Sequence, residues 1–309
     1  MTAAPARDTG NTRNGERAAV DAMAPRLLLG GLGLPESPRW ADGRLFFSDV
    51  WCGEVVALDL AGQRETIARV PNRPSGLGWL PDGRLLVVSM LDRQLLVLEA
   101  DGQLRLAADL RPYAGELAND MLVDRHGRAY VGGFVAGAGS NNTERRDNAP
   151  GANLLLVDFS QDSAAPVISV AATDLRIPNG LAISADGATL LVAETAAKRL
   201  TAFTIAADGA LSARRTWADL ELYPDGICLD AGGCAWVASN TPPCFQRVAE
   251  GGAVLRRIDT GDIAGFACVL GGTARDTLFL LEAPYPSANT DRAGRIRVLR
   301  ADVAGAGLP

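Results

Sequence analysis

Residues 179–194 read NGLAISADGATLLVAE, and residues 75–89 read SGLGWLPDGRLLVVS. Each is a short apolar run, an Asp-Gly turn and a strongly apolar run. The turn dipeptide supplies the positive φ that a tight hairpin requires. Three further stretches follow the same grammar: ESPRWADGRLFFSD (36–49), NDMLVDRHGRAYVGG (119–133) and DGICLDAGGCAWVAS (225–239). A degenerate sixth, CVLGGTARDTLFLLE (268–282), has Asp276 where the turn glycine belongs. After each hairpin comes a third run of alternating apolar and polar residues, such as EVVALDL, QLLVLEA, NLLLVDF, RLTAFTI and RIRVLRA. Several units close with a fourth, such as QRETIARV and QLRLAADL. Four antiparallel strands repeated six times predict an all-β fold, a six-bladed β-propeller with four strands per blade. No helical period is sustained, which excludes a parallel α/β sheet, and neither a β-sandwich nor a barrel accounts for the repeat.

Residues 26–309 are expected to form one propeller domain, with residues 1–25 a disordered tail. The run Arg26-Leu27-Leu28-Leu29 is expected to be a strand that helps close the ring against the C-terminal blade. The formal net charge is −6 with no basic stripe, which argues against a nucleic-acid partner. No window of about 18 apolar residues is present, so no membrane-spanning helix is expected. The N-terminal segment lacks a hydrophobic core segment of the secretory kind, and a cytoplasmic location is expected. The five cysteines have no metal-ligand spacing. Cys228 and Cys234 fall on neighbouring strands, where a disulfide is open to them, but free and mostly buried thiols are expected. The single histidine, His126, sits in an Asp-Arg-His-Gly turn remote from the axis. A Ser-His-Asp or Cys-His apparatus therefore has no histidine to use.

In a ring of repeats, equivalent positions converge on one axis. Ser75, Asn119, Asn179 and Asp225 each stand eight residues before the turn glycine, and Glu36 stands seven before Gly43. Two carboxylates and two amides pointing at a common axis form a site for a hard cation, with Ca²⁺ the best match. If the inner strand begins at that mouth and descends to the Asp-Gly turn, the loops after the second strands return to the mouth. These include residues 50–53, 90–92, 134–153, 195–198, 240–247 and 283–294. They place Trp51, Met90, Leu91, Phe134, Phe245 and Tyr285 around a fairly apolar pocket for a small molecule. The long polar insertion over 135–152 reads as a mobile lid. Glu194, at the end of the VAET strand, is a second candidate acid or base, or a structural ion-pair partner. Ser75 and Cys268, poor ligands for a hard cation, are assigned to pocket lining.

The stretches PESPRW, LAND with VDRHGRAYVG, IPNGLAIS, VAET and YPDGICLD resemble, in order and spacing, the family of senescence marker protein (regucalcin), gluconolactonase and luciferin-regenerating enzyme. The resemblance spans nearly the whole chain from about residue 30 and implies a six-bladed propeller. It implies one divalent cation at the axis, held by Glu36, Asn179 and Asp225, with Asn119 contacting substrate or metal. Ca²⁺ is the expected ion, with Zn²⁺, Mn²⁺ and Mg²⁺ as alternatives. The implied activity is metal-dependent hydrolysis of a lactone or related ester, the cation polarising the carbonyl and Asp225 activating water or attacking directly. Other metal-assisted chemistry at the same site, such as phosphotriester hydrolysis, cyclisation or isomerisation, is the alternative, and a non-catalytic binding propeller the third reading. The chain departs from the family at one informative position. Sugar-lactone members commonly carry an arginine two residues before the Asn-Asp asparagine, and here that residue is Leu117. Arg73, in the PNRPSG entry to the second repeat, is a candidate replacement. The loss favours a hydrophobic lactone or another ester-like substrate.

Overall fold

The computed structural model describes residues 24–134, 143–285 and 292–306. The expected tail over 1–25 lies almost entirely outside the described residues, and so does the first part of the expected lid. Six four-stranded antiparallel sheets make up the fold. Blade one runs through Pro35–Ala41, Arg44–Asp49, Glu54–Leu58 and Arg64–Arg69, and blades two to five follow in the same order. Blade six takes Ile263–Gly271, Thr277–Pro284 and Gly294–Arg300 from the C-terminal end and its outermost strand, Arg26–Leu32, from the N-terminal end. That strand pairs antiparallel with Gly294–Arg300, Arg26 opposite Val298 and Leu32 opposite Gly294. The ring is thus closed by hydrogen bonds between the two ends of the chain, as the apolar Arg26–Leu29 run predicts.

The turn glycines Gly43, Gly83, Gly127, Gly187 and Gly233 all have positive φ, between 74° and 87°. Apolar faces of adjacent blades meet to form the core. Leu45, Phe47, Val56 and Leu58 of blade one, for example, pack against Val269, Phe279, Leu281 and Ile296 of blade six. Trp40 stacks on Phe279 across the same seam with ring centroids 5.4 Å apart. All five cysteines are free, and only Cys52 is not fully buried.

The inner strands share one irregularity. Between Glu36 and Arg39, Pro74 and Leu77, Ala118 and Met121, Pro178 and Leu181, and Pro224 and Ile227, the register with the second strand slips. The same slip occurs between Gly265 and Ala267 in blade six. An extra residue on one strand bends it and re-aims its side chains. The slips fall at the axial positions, where the inner strands crowd together. A Cβ on Gly180 would lie 2.5 Å from the Asp225 carbonyl oxygen, and one on Gly226 would lie 2.7 Å from Ala267 Cα. The glycines of Asn-Gly and Asp-Gly are required by that backbone approach.

Candidate metal and substrate site at the propeller axis

The bulges turn Glu36, Ser75, Asn119, Asn179 and Asp225 toward the axis, where hydrogen bonds link Ser75, Asn119 and Asn179 from blade to blade. Ser75 Oγ donates to Asn119 Oδ1 at 3.1 Å, and Asn119 Nδ2 donates to Asn179 Oδ1 at 3.2 Å. Asn179 Nδ2 donates to Thr195 Oγ1 at 3.3 Å, and Thr195 Oγ1 donates to the Pro224 carbonyl at 2.7 Å. Asp225 Oδ2 accepts from Asn240 Nδ2 at 3.2 Å, while its Oδ1 is buried without a hydrogen-bond partner. Glu36 stands near enough to feel the Asp225 charge.

A third carboxylate belongs to this cluster. Asp120 follows Asn119, and ordinary strand alternation would turn it away, but the bulge brings both residues to the axis. Its Oδ1 accepts from Ser37 Oγ at 2.8 Å and from the Met121 N–H at 3.2 Å. The buried Arg39 guanidinium lies 4.0 Å from Asp120 and donates to the carbonyls of Pro38 and Met121. Burial, then the Asp225 and Asp120 charges, push the Glu36 carboxyl well above its usual range. Burial and the Asp120 charge push Asp225 up to about 7, against the pull of Asn240, Arg146 and Asn179.

Desolvated carboxyls that resist ionisation beside one another, one with an orphaned oxygen, fit a divalent cation. Glu36, Asp225 and the amide oxygens of Asn179 and Asn119 are hard oxygen donors, which suit Ca²⁺. Among the described residues no cluster of three or more His, Cys, Asp or Glu is arranged as a metal site, so a cation here depends on the amides as well as the carboxylates.

The mouth differs from the sequence expectation in several places. Phe245 is fully buried, packed with Trp236, Ile258, Cys268 and Leu278 between blades five and six, and does not line the pocket. The segment read as a loop over 240–247 turns at Thr241-Pro242, and the third strand begins at Pro243, opposite Asn240. Cys268 lies below the site, its Sγ 4.0 Å from that of Cys228; the bulge of blade six carries Phe266 instead. Glu194 is fully buried and accepts from Thr201, Arg199, Arg214 and the Arg176 N–H, an inter-strand ion-pair hub. Burial raises its pKa, but those hydrogen bonds outweigh it and hold the carboxyl below its usual range. His126 is exposed in its turn at the far end of the inner strand Leu117–Val123. Ser75 is buried and orients Asn119.

Trp51, Met90 and Tyr285 are half-buried in the loops that follow the second strands, and Phe134 is half-buried at the end of the second strand of blade three. Arg73, with a left-handed φ of 69°, stacks its guanidinium 4.3 Å from the Trp51 ring centroid. Phe134 packs with Ala149 and Ile177 beneath the insertion.

The described part of the insertion includes a short helix, α1 (Thr143–Asp147), of which only Arg146 is buried. Arg146 donates to Asn240 Oδ1 and to the Tyr285 hydroxyl, each at 3.0 Å. Its guanidinium lies 4.3 Å from the Tyr223 ring centroid and 5.6 Å from that of Tyr285. Asp147 anchors the helix, accepting from Tyr223 Oη at 2.8 Å and lying 3.9 Å from Lys198 Nζ. No local sequence signal marks Arg146, because its place is set by where an irregular segment docks. With Phe245 withdrawn and Arg146 present, the mouth is less apolar than the sequence suggests.

A six-bladed propeller with polar side chains converging at one end of its axis is a scaffold for a small-molecule site. Residues 34–283 match the family described as SMP-30/Gluconolactonase/LRE-like region. The chain belongs to that family. It is 27% identical over 255 residues to 6-deoxy-6-sulfogluconolactonase of Pseudomonas putida, covering 80% of this chain and 82% of that one. It is 26% identical over 293 residues to the pentonolactonase of Haloferax volcanii, covering 89% and 93%. In fold it is similar to the calcium-binding protein regucalcin of Agrobacterium tumefaciens, with a TM-score of 0.75, 21% identity and coverage of 93% and 97%.

Proposed function

We propose that the protein is a divalent-metal-dependent lactonase working at the propeller axis. The observation that carries this reading is the pair of buried carboxyls, Glu36 and Asp225, in one cluster with the hydrogen-bonded Asn119 and Asn179 amides, with Asp225 Oδ1 left without a partner. Two relatives that act on sugar lactones, and a calcium-binding neighbour of the same fold, support it. Glu36, Asn179 and Asp225 would hold the cation, Ca²⁺ before Zn²⁺, Mn²⁺ or Mg²⁺, with Asn119 reaching substrate or metal. Bound there, the cation polarises the lactone carbonyl and balances the negative charge that develops on its oxygen.

Asp225 takes the proton from the attacking water as its oxygen bonds to the carbonyl carbon. The ring C–O bond then breaks, and the proton passes to the departing ring oxygen, leaving a hydroxy acid. Asn240 fixes the orientation of the carboxylate by donating to Oδ2. The site's hydrogen-bonding groups favour an oxygen-rich lactone over the apolar substrate that Leu117 alone suggests.

The test is hydrolysis of a panel of γ- and δ-lactones by chelated protein with single metals restored. Activity that returns with Ca²⁺ and falls at least about a hundredfold in Asp225→Asn supports the reading. Full activity in the chelated protein overturns it.

A further inference from the structure

We propose that Asp120 and Ser37 are positioning residues for the axial cation: Asp120, from blade three, holds Ser37 of blade one, and Ser37 holds the Glu36 carboxylate. The proposal rests on the cation site of the lactonase reading and names residues that set its affinity without being ligands. Among the described residues the Glu36 carboxyl accepts one hydrogen bond, from the Ser37 N–H to Oε2 at 3.3 Å. The aim of the carboxylate therefore depends on where the Ser37 backbone lies. Ser37 has a φ of 49°, in the left-handed region that a residue with a Cβ rarely adopts. Such a conformation persists only where its surroundings impose it.

Two ties to blade three impose it. Ser37 Oγ donates to Asp120 Oδ1 at 2.8 Å, a charge-assisted bond between side chains 83 residues apart in the chain. The bond is shielded from water, Ser37 being 2% and Asp120 6% exposed. The Met121 N–H donates to the same Oδ1 at 3.2 Å, so the acceptor is itself fixed by its own strand. Two residues beyond Ser37, Arg39 donates to the Pro38 carbonyl at 2.8 Å and to the Met121 carbonyl. Residues 37–39 of blade one are thus fastened to residues 120–121 of blade three at both ends, past the intervening blade two. Asp120 Oδ1 is committed to two donors, and the Arg39 guanidinium 4.0 Å away offsets its charge. Among the described residues no three carboxylates are arranged as a metal site, which leaves Asp120 a fixed acceptor for Ser37. Outer partners of metal ligands orient those ligands and raise the affinity of the site.

The experiment titrates Ca²⁺ by calorimetry into chelated wild type, Ser37→Ala, Asp120→Ala and the double variant, with the melting temperature of each chelated protein measured alongside. Ser37→Ala removes a hydroxyl and no charge, and is expected to weaken Ca²⁺ binding about tenfold to a hundredfold. Asp120→Ala is expected to weaken it at least as much. The double variant should bind no more weakly than Asp120→Ala, because the hydroxyl has nothing to hold once its acceptor is gone. Wild-type affinity in Ser37→Ala overturns the proposal even if the chelated variant melts lower, since a clasp that serves folding alone gives that result. Losses that multiply in the double variant overturn it as well. If Asp120→Ala does not fold, Ser37→Ala decides alone. Failure of the lactonase reading looks different: no lactone is turned over, while Ca²⁺ affinity still falls in Ser37→Ala. Wild type that binds no Ca²⁺ overturns the axial cation and this inference together.

Discussion

Asp225 and Glu36 are held in the folded chain with a strong bias toward their protonated forms. Asp225 sits at about 7 against an ordinary 3.8, and Glu36 is displaced in the same direction. Between those values the folded chain binds a proton that the unfolded chain has released, so stability must fall as pH rises through the window. Chelated protein is therefore expected to melt at a lower temperature near about pH 7.5 than near about pH 5. Asp225→Asn flattens the slope and Ca²⁺ offsets it; a flat melting profile for chelated wild type contradicts the assignment. Arg39 works on the same cluster from below. It is the buried cation nearest Asp120, and Arg39→Met would leave that carboxylate among Glu36 and Asp225 without a compensating charge. The expected loss is about 3–5 kcal/mol in urea titrations of chelated protein. A loss under about 1 kcal/mol would mean that Arg39 does not hold the cluster together.

At the scale of elements, the bulge and the closing strand matter most. The bulge lets two successive residues, Asn119 and Asp120, address the axis, and it explains why alternation alone finds the first and misses the second. Blade six, bulged at Gly265–Ala267, shows how counting back from a degenerate turn picks Cys268 when Phe266 holds the bulge position. The closing strand Arg26–Leu32 buries Leu32 in the seam between blades one and six. Leu32→Ala is expected to cost about 2–4 kcal/mol by chemical denaturation. Removing residues 1–32 would bare the edge of Gly294–Arg300, which should appear as self-association by size-exclusion chromatography. A truncated chain that stays monomeric and equally stable would show that closure is not what holds the ring.

At the scale of the whole molecule, what the repeats encode was legible and what lies outside them was not. The six-fold grammar of apolar run, glycine turn and apolar run specifies the propeller. The same register identifies Glu36, Asn119, Asn179 and Asp225 because equivalent residues must share an axis. Phe245 was misplaced because the Pro-Pro pair reads as loop, while a proline is well tolerated at the start of a strand. Arg146 left no trace in the sequence, since the docking of an insertion is decided by tertiary contacts with Asn240, Tyr223 and Tyr285. Calorimetric titration of Ca²⁺ into chelated protein is expected to show a single site per chain that disappears in Glu36→Gln; no binding, or an isotherm unchanged by Glu36→Gln, would contradict a cation site built by the repeats from both carboxylates and amides.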